Sequence, residues 1–216
     1  MLARTELHTH EEVLSIYHKL NRLSSYLIYV TLLVIILGML TYGQTFSFKE
    51  HAFSHFGRIR TQDGSSNTLS LLFYGTGMII SAIICFKLSN LTEHNTSNLL
   101  LRVAAAGYIL LIVPCDILNI IHSIGGAMVI GSMWLLTVIQ IHELIKQPNK
   151  IRAYLYHLLL QGTVLPYAFF YAIGSPLCPV VQKFAILGLM ISLKLVIVEH
   201  ARECEMSMQN DVKDEG

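Results

Sequence analysis

Apolar residues along the chain fall into six blocks, and polar residues collect in the segments between them. The blocks cover residues 25–43, 69–88, 99–115, 122–142, 153–173 and 180–198. A helix of about twenty residues crosses the roughly 30 Å hydrocarbon core of a bilayer, because each residue adds about 1.5 Å. The pattern therefore predicts an all-α integral membrane bundle of six transmembrane helices.

The third and fourth blocks need a further argument, because residues 103–140 are almost continuously apolar. As a single helix they would be about 57 Å long, nearly twice the thickness of the hydrocarbon core. Pro114, Asp116, Asn119 and His122 lie near the midpoint, and water at a membrane surface would hydrate such groups. This segment is therefore expected to form a helical hairpin with its tip at these residues.

The first 24 residues carry charges of both signs and an apolar stripe at helical spacing. The stripe predicts an amphipathic helix over residues 10–23 that either lies on the membrane surface or extends the first span. The stripe consists of Val13, Ile16, Tyr17, Leu20 and Leu23. The predicted organisation is an amphipathic N-terminal segment (1–24), a transmembrane domain (25–199) and a C-terminal tail (200–216).

The distribution of charged residues predicts how this bundle is oriented across the membrane. Only 13% of the residues are charged, about half the share of a soluble domain, and the basic residues are too scattered to bind nucleic acid. Ten Lys and Arg lie on the side of the termini, four lie on the other side, and Lys194 lies within the last block. Cytoplasmic loops are the richer in Lys and Arg, so both termini are expected in the cytoplasm, with the plasma membrane as the expected location.

Polar side chains collect on the predicted outer side, in the first loop and the hairpin tip. They are His51, Ser54, His55, Arg58, Asn67, Asp116, Asn119, His122 and Ser123. On a helix, His51 and His55 would project from one face as a metal pair, and His122 would add a third nitrogen. Zinc held there would activate a water molecule, with Asp116 as ligand or orienting group and Ser54 as donor to an oxyanion. Alternatively, these histidines hydrogen-bond to loop carbonyls and water.

Several short motifs resemble those of a six-span membrane family known as domain of unknown function nine-nine-eight. They are FSHFG (53–57), Asn67, LFYGTG (72–77), VPCD (113–116), HSIGGA (122–127) and PVVQK (179–183). The resemblance covers roughly residues 25–199. It implies a six-span architecture more than an activity.

The chain is also distantly similar to the alkaline ceramidases and adiponectin-receptor-like proteins. In those seven-span hydrolases a Ser, an Asp and three His residues form a zinc site. The resemblance would give these roles to Ser54 or Ser47, Asp116 and His122. The sequence lacks their C-terminal HxxxH pair, because its last helix offers only His200.

Three functional hypotheses follow from these observations. The first is a membrane protein whose outer polar site binds a lipid or another small molecule. The second is a small transporter or lipid sensor without catalysis, and the third is a membrane-embedded, zinc-dependent hydrolase. Pairs of small residues four positions apart, which let helices approach closely, also indicate packing seams, and these seams alone would suffice for a protein that acts as a packing or assembly partner. These pairs are Gly77 and Ser81, Ala127 and Gly131, and Gly188 and Ser192.

Overall fold

The described part of the chain folds into six α-helices and one short 3-10 helix. The computed structural model describes the backbone of residues 2–92, 94–147 and 150–214, and the side chains of 12–92, 94–147 and 150–206. Over these ranges it contains no β-strand, only an isolated bridge between Arg60 and Ser66. The α-helices are α1 (Leu2–Thr41), α2 (Thr68–Ser89), α3 (Asn95–Leu110), α4 (Asn119–Ile145), α5 (Lys150–Ala172) and α6 (Cys178–Asp214); the 3-10 helix is Phe53–Gly57.

Four of these helices are long and apolar enough to cross a membrane, which fits a multi-pass membrane protein. The qualifying segments are Glu12–Thr41 of α1, all of α2, all of α4 and Cys178–Met206 of α6. The 16 residues of α3 extend only about 24 Å, and α5 begins with Lys150 and Arg152. Their composition and length alone therefore do not mark them as spans.

The predicted hairpin between the third and fourth blocks is confirmed. Helix α3 ends at Leu110, and the chain turns through residues 111–118 before α4 begins at Asn119. The turn contains Pro114, which has no backbone N–H and cannot continue a helix. Helices α3 and α4 then pack against each other.

Both ends of the chain form longer helices than the apolar blocks indicated. Residues 10–23 are helical, and they continue without a break into the first span as part of α1. Of the two alternatives for this segment, the structure thus has the helix that extends the span. Helix α6 likewise runs past the predicted end of its block, at residue 198, to Asp214.

The helices form a closed ring. Each one contacts the next along the chain, α1 contacts α6, and α4 also contacts α6. Residues 42–67, 111–118 and 173–177 connect the helices at one end of the ring, which we call the loop end. At the opposite end α2 is joined to α3 and α4 to α5, and the outer parts of α1 and α6 extend beyond it.

Small residues allow the closest approaches between helices, but only some of the predicted seams are present. A Cβ added at Gly77 would lie 2.0 Å from Val34, and one at Gly188 would lie 2.2 Å from Thr163. The seam predicted at Ala127 and Gly131 is wrong, since both are exposed and a Cβ at Gly131 would have no neighbour within 4 Å.

The tightest approach between α3 and α4 lies elsewhere on α4. A Cβ on Gly107 would lie 2.8 Å from the carbonyl oxygen of Gly125, and a Cβ on Gly125 would lie 2.8 Å from the carbonyl oxygen of Gly107. The two backbones therefore touch at this pair. Ala127 and Gly131 are left to face the interior of the ring.

Candidate functional site

A cavity of about 530 Å³ lies inside the ring and is lined by all six α-helices and the 3-10 helix. Asn119 at the loop end and Met133 deep in α4 both line it, and the fourteen helical steps between them extend about 21 Å. The polar lining side chains nearest the loop end are Ser54, Asn119, His122, Ser123 and Gln182. Further in, the lining is mainly aliphatic and aromatic, so the cavity has one polar end and an apolar body.

His122 is the most informative residue of the polar end. Its side chain is only 4% exposed, and its Nδ1 lies 2.8 Å from the carbonyl oxygen of Val113 in the preceding turn. A carbonyl oxygen only accepts hydrogen bonds, so Nδ1 carries the proton and donates it. In the neutral ring Nε2 is then an acceptor, and it has no partner among the described residues. The ring stacks on Tyr74 with centroids 6.2 Å apart.

Gln182 connects the roof of the cavity to α5 and α6. Its Oε1 accepts a hydrogen bond from the backbone N–H of Phe53 at 3.0 Å, and its Nε2 donates to the hydroxyl of Tyr167 at 3.4 Å. Phe53 begins the 3-10 helix, which covers the loop end of the cavity with Phe53, Ser54 and Phe56. The polar groups of Gln182 are thus already used to hold this roof in place.

Asn67 organises the first loop from within. The residue is 1% exposed, and its Nδ2 donates to the carbonyl oxygens of His55, Phe56 and Arg58 at 3.0 to 3.3 Å. Its Oδ1 accepts from the backbone N–H of Gly43. One amide side chain therefore satisfies backbone groups on both sides of the loop, and Asn67 is structural.

Asp116 joins the first loop to the α3–α4 turn. Its carboxylate accepts hydrogen bonds from the backbone N–H groups of Ile59 and Arg60, all at 3.1 Å. Burial alone would raise the pKa of this carboxyl, but these hydrogen bonds together outweigh it and hold the pKa below its usual range. Asp116 is thus an exposed anchor rather than a group that faces the cavity.

His51 is buried inside the loop, and both of its ring nitrogens face groups of the same loop. Nδ1 lies 2.9 Å from the backbone nitrogen of Ser47, and Nε2 lies 2.9 Å from Nε2 of Gln44. Lys183 donates to the carbonyl oxygen of His51 at 2.6 Å. The ring of His51 is thus held by a backbone N–H and a side-chain amide of the loop, rather than by the loop carbonyls of the alternative interpretation.

His55 differs from His51 in having an unpartnered nitrogen. Its Nδ1 is buried and has no hydrogen-bond partner in the described part of the chain. Burial, with a smaller effect of the positive charge on Arg58, lowers the pKa of His55 from 6.5 to about 4. His51 and His55 do not share a helix, so the condition for a metal pair on one helix face is not met, because His51 precedes the 3-10 helix that contains His55.

The predicted site residues therefore separate into two groups. Ser54 and His122 line the cavity, whereas His51, His55 and Asp116 lie in the loop structure above it. His51 and His55 are neighbours, with ring centroids 5.8 Å apart. Within the ranges described above, no group of three or more His, Cys, Asp or Glu residues is placed to hold a metal ion.

Comparisons with known proteins add no relative. No family model matches the chain, and no curated protein or solved structure matches it. The resemblance to the six-span family and to the membrane hydrolases stays a prediction. Any functional proposal has to be argued from the geometry of the cavity and the loops.

The open side of the cavity lies between α4 and α5. The exposed residues of its lining all belong to these two helices, and they are Asn119, Ala127, Gly131, Ala168 and Tyr171. Deeper in the bundle the two helices are joined, because Nε1 of Trp134 donates to Oε1 of Gln161 at 3.0 Å. The gap is therefore confined to the half of the bundle nearer the loop end.

Tyr74, Tyr167 and Gln182 also line the cavity, and none of them was predicted as a site residue. Tyr74 and Tyr167 have apolar rings, and the sequence alone does not distinguish a ring packed between helices from one that lines a cavity. The sequence did contain a signal for Gln182, because it is an uncharged polar residue two positions inside an apolar block. Such a group needs a hydrogen-bond partner within the bundle.

Proposed function

We propose that this chain is a six-span membrane protein that binds a single-chain lipid in its central cavity. The lipid's polar head would lie at the loop end, beside His122 and Asn119, and its tail would lie along the apolar walls. The observation that carries the proposal is the polarity of the cavity, which is lined over about 21 Å of α4 and has hydrogen-bonding groups at one end and mainly apolar side chains beyond them.

The size of the cavity supports this assignment. Its volume of about 530 Å³ falls within the roughly 300–1,000 Å³ that small-molecule sites occupy. Its lining also has the usual character of such sites, which are mostly apolar with a few polar groups that orient the ligand. A cavity that is lined over about 21 Å of α4 and has its polar side chains at one end suits one hydrocarbon chain with one head.

The gap between α4 and α5 supplies a route of entry. Ala127, Gly131 and Ala168 have small side chains or none, so they leave this gap unobstructed. If α4 and α5 face the bilayer, the gap opens toward the acyl chains of one leaflet. A lipid would then enter sideways from the membrane without passing through water.

The topology supports six spans rather than four. Helix α2 runs away from the loop end and α4 begins at it, so α3 has to return the chain across the same thickness. Helix α5 does the same between the end of α4 and the beginning of α6. The excess of Lys and Arg beside the termini supports a cytoplasmic location for both of them, with the loop end on the outer face of the plasma membrane.

Blocking the cavity tests the proposal. Gly131 lines the cavity, and a Cβ there would have no neighbour within 4 Å, so Gly131→Leu would fill the space without a backbone clash. Gly162 on α5 is equally unobstructed but does not line the cavity, so Gly162→Leu is the matched control. The measurement is binding of a fluorescent single-chain lipid to the full-length protein in mild detergent.

We expect Gly131→Leu to weaken binding about tenfold or more, and Gly162→Leu to leave it within about twofold of the parent. Thermal unfolding of all three proteins would show that the variants are folded. Absence of saturable binding by the parent protein, or equal loss in the two variants, would refute a lipid site in this cavity.

The zinc-dependent hydrolase is supported less well by the geometry. His51 and Asp116 are engaged by the loop backbone, which leaves Nε2 of His122 and Nδ1 of His55 as the unpartnered ring nitrogens of the proposed ligands. Metal analysis of the purified protein distinguishes the two functions. One zinc per chain that disappears in His122→Ala would favour the hydrolase over simple lipid binding.

A further inference from the structure

Beyond the presence of a lipid, the lining of the cavity indicates which class of head group it takes. We infer that the bound lipid is uncharged and carries a free hydroxyl group, which donates a hydrogen bond to Nε2 of His122. This inference rests on the proposed function, because it assigns the chemistry of the head in the same cavity.

The first step is the direction of the hydrogen bond at His122. Nδ1 donates to the carbonyl oxygen of Val113, so the neutral ring presents a lone pair at Nε2. Nε2 is buried in a side chain that is only 4% exposed, and it has no partner among the described residues. An unpaired acceptor in such a place is costly, and a ligand that donates an O–H would satisfy it.

The second step is the absence of charge around the head. Among the described residues that line the cavity there is no Lys, Arg, Asp or Glu. The nearby ammonium of Lys183 is directed to three backbone carbonyl oxygens and is not part of the lining. A carboxylate or phosphate head would therefore be desolvated without a counter-ion, which is strongly unfavourable.

The third step is the set of donors beside His122. The hydroxyl of Ser123 donates to Oδ1 of Asn119 at 3.4 Å, which leaves the Nδ2 of Asn119 as a donor at the mouth of the cavity. A hydroxyl group can donate one hydrogen bond and accept two. One alcohol oxygen could thus donate to His122 and accept from Asn119, which an ether or ester oxygen could do only in part.

A matched series of ligands tests the inference. Hexadecanol, its methyl ether and hexadecanoate share one tail and differ in the head, and each would compete with the fluorescent lipid for the full-length protein in detergent. We expect hexadecanol to compete about tenfold or more better than the methyl ether, because only the alcohol can donate to the buried acceptor. Hexadecanoate at pH 8 should compete no better than the ether.

His122→Asn removes the acceptor while it keeps the anchor. The amide of Asn lies near the position of Nδ1 and can still donate to Val113, but the side chain has no atom at the position of Nε2. In this variant the alcohol and the ether should compete equally. His157→Asn, on α5 and outside the lining, is the matched control and should keep the preference for the alcohol.

The possible outcomes separate the two proposals. Equal competition by alcohol and ether in the parent protein, or a preference for hexadecanoate, would overturn the hydroxyl assignment while the lipid site remained. Retention of the alcohol preference in His122→Asn would overturn the role of Nε2. Failure of all three compounds to compete would instead count against the lipid-binding cavity itself.

Discussion

Lys183 donates from its ammonium group to the carbonyl oxygen of His51 at 2.6 Å, although 132 positions separate them in the sequence. The same group donates to the carbonyl oxygens of Phe48 and Pro179 at 2.7 and 2.8 Å. Lys183 is 1% exposed, and its Nζ lies 4.5 Å from the centre of the Phe48 ring. All three donors of one buried lysine are thus used to hold the first loop against α6.

Replacement of Lys183 by Met should therefore detach the loop. The Met side chain fills similar space but leaves the loop carbonyl oxygens of Phe48 and His51 without the ammonium donor, so we expect a loss of about 3–5 kcal/mol in the free energy of unfolding. Lys194→Met in the same helix is the control, because Lys194 donates to the hydroxyl of Ser25 and not to loop backbone. Chemical unfolding in detergent micelles measures the stability of both variants. Equal losses of stability in the two would contradict the role of Lys183 in holding the loop.

Asn67 allows a sharper test, because Asp has almost the same shape. In Asn67→Asp an oxygen would replace the nitrogen that donates to His55, Phe56 and Arg58, so four oxygens would face one another. Asn67→Ala removes the donor, and the acceptor of the Gly43 N–H, without adding an oxygen that repels the three carbonyls, so the expected loss is about 1–3 kcal/mol.

We therefore expect Asn67→Asp to be less stable than Asn67→Ala in the same unfolding experiment, although it is closer in shape to the parent. Asn98→Ala, which removes a single hydrogen bond to Ser89 at the opposite end, should cost about 1 kcal/mol or less. If Asn67→Asp proved more stable than Asn67→Ala, the contacts of Nδ2 would not be what holds the loop.

The helical framework was predictable from the sequence because a bilayer restricts what an apolar segment can do. A run of 38 residues cannot be one span, and Pro114 and Asp116 marked where it had to turn. The turn lies at residues 111–118, and α4 begins at Asn119 as the polar residues there indicated. The thickness of the bilayer and the polar residues near the midpoint were therefore sufficient to predict this turn.

The site was less predictable, because loop contacts depend on residues far apart in the sequence. His51 and His55 would share a face only if both lay on one helix, but His51 precedes the 3-10 helix, and Lys183 holds the backbone of His51 in place. His122 lies at the polar end of the cavity with Asn119 and Ser123, which sequence proximity alone already brings together. Its unpaired Nε2 could not be foreseen, since that requires the position of the Val113 carbonyl.

Two glycines of α4 should respond in opposite directions to the same substitution. In Gly125→Ala the new methyl group would lie 2.8 Å from the backbone oxygen of Gly107, so α3 and α4 must separate, at a cost of about 1–3 kcal/mol. In Gly131→Ala the methyl group meets nothing within 4 Å, and the higher helix propensity of Ala should stabilise by up to about 1 kcal/mol. Thermal unfolding would measure the two changes in stability. Destabilisation by both substitutions would contradict the open cavity wall at Gly131.

His55 should make stability depend on pH in a defined window. Its pKa is about 4 in the folded protein and near 6.5 when the chain is unfolded, so between these values the unfolded state binds more protons. The folded protein should therefore lose stability as pH falls from about 6.5 to about 4, and this contribution should be constant above that window. His55→Gln should flatten the dependence, whereas His18→Gln, at an exposed position of α1, should not. Unfolding midpoints measured from pH 4 to pH 8 would check this, and an unchanged slope in His55→Gln would assign the titration to another group.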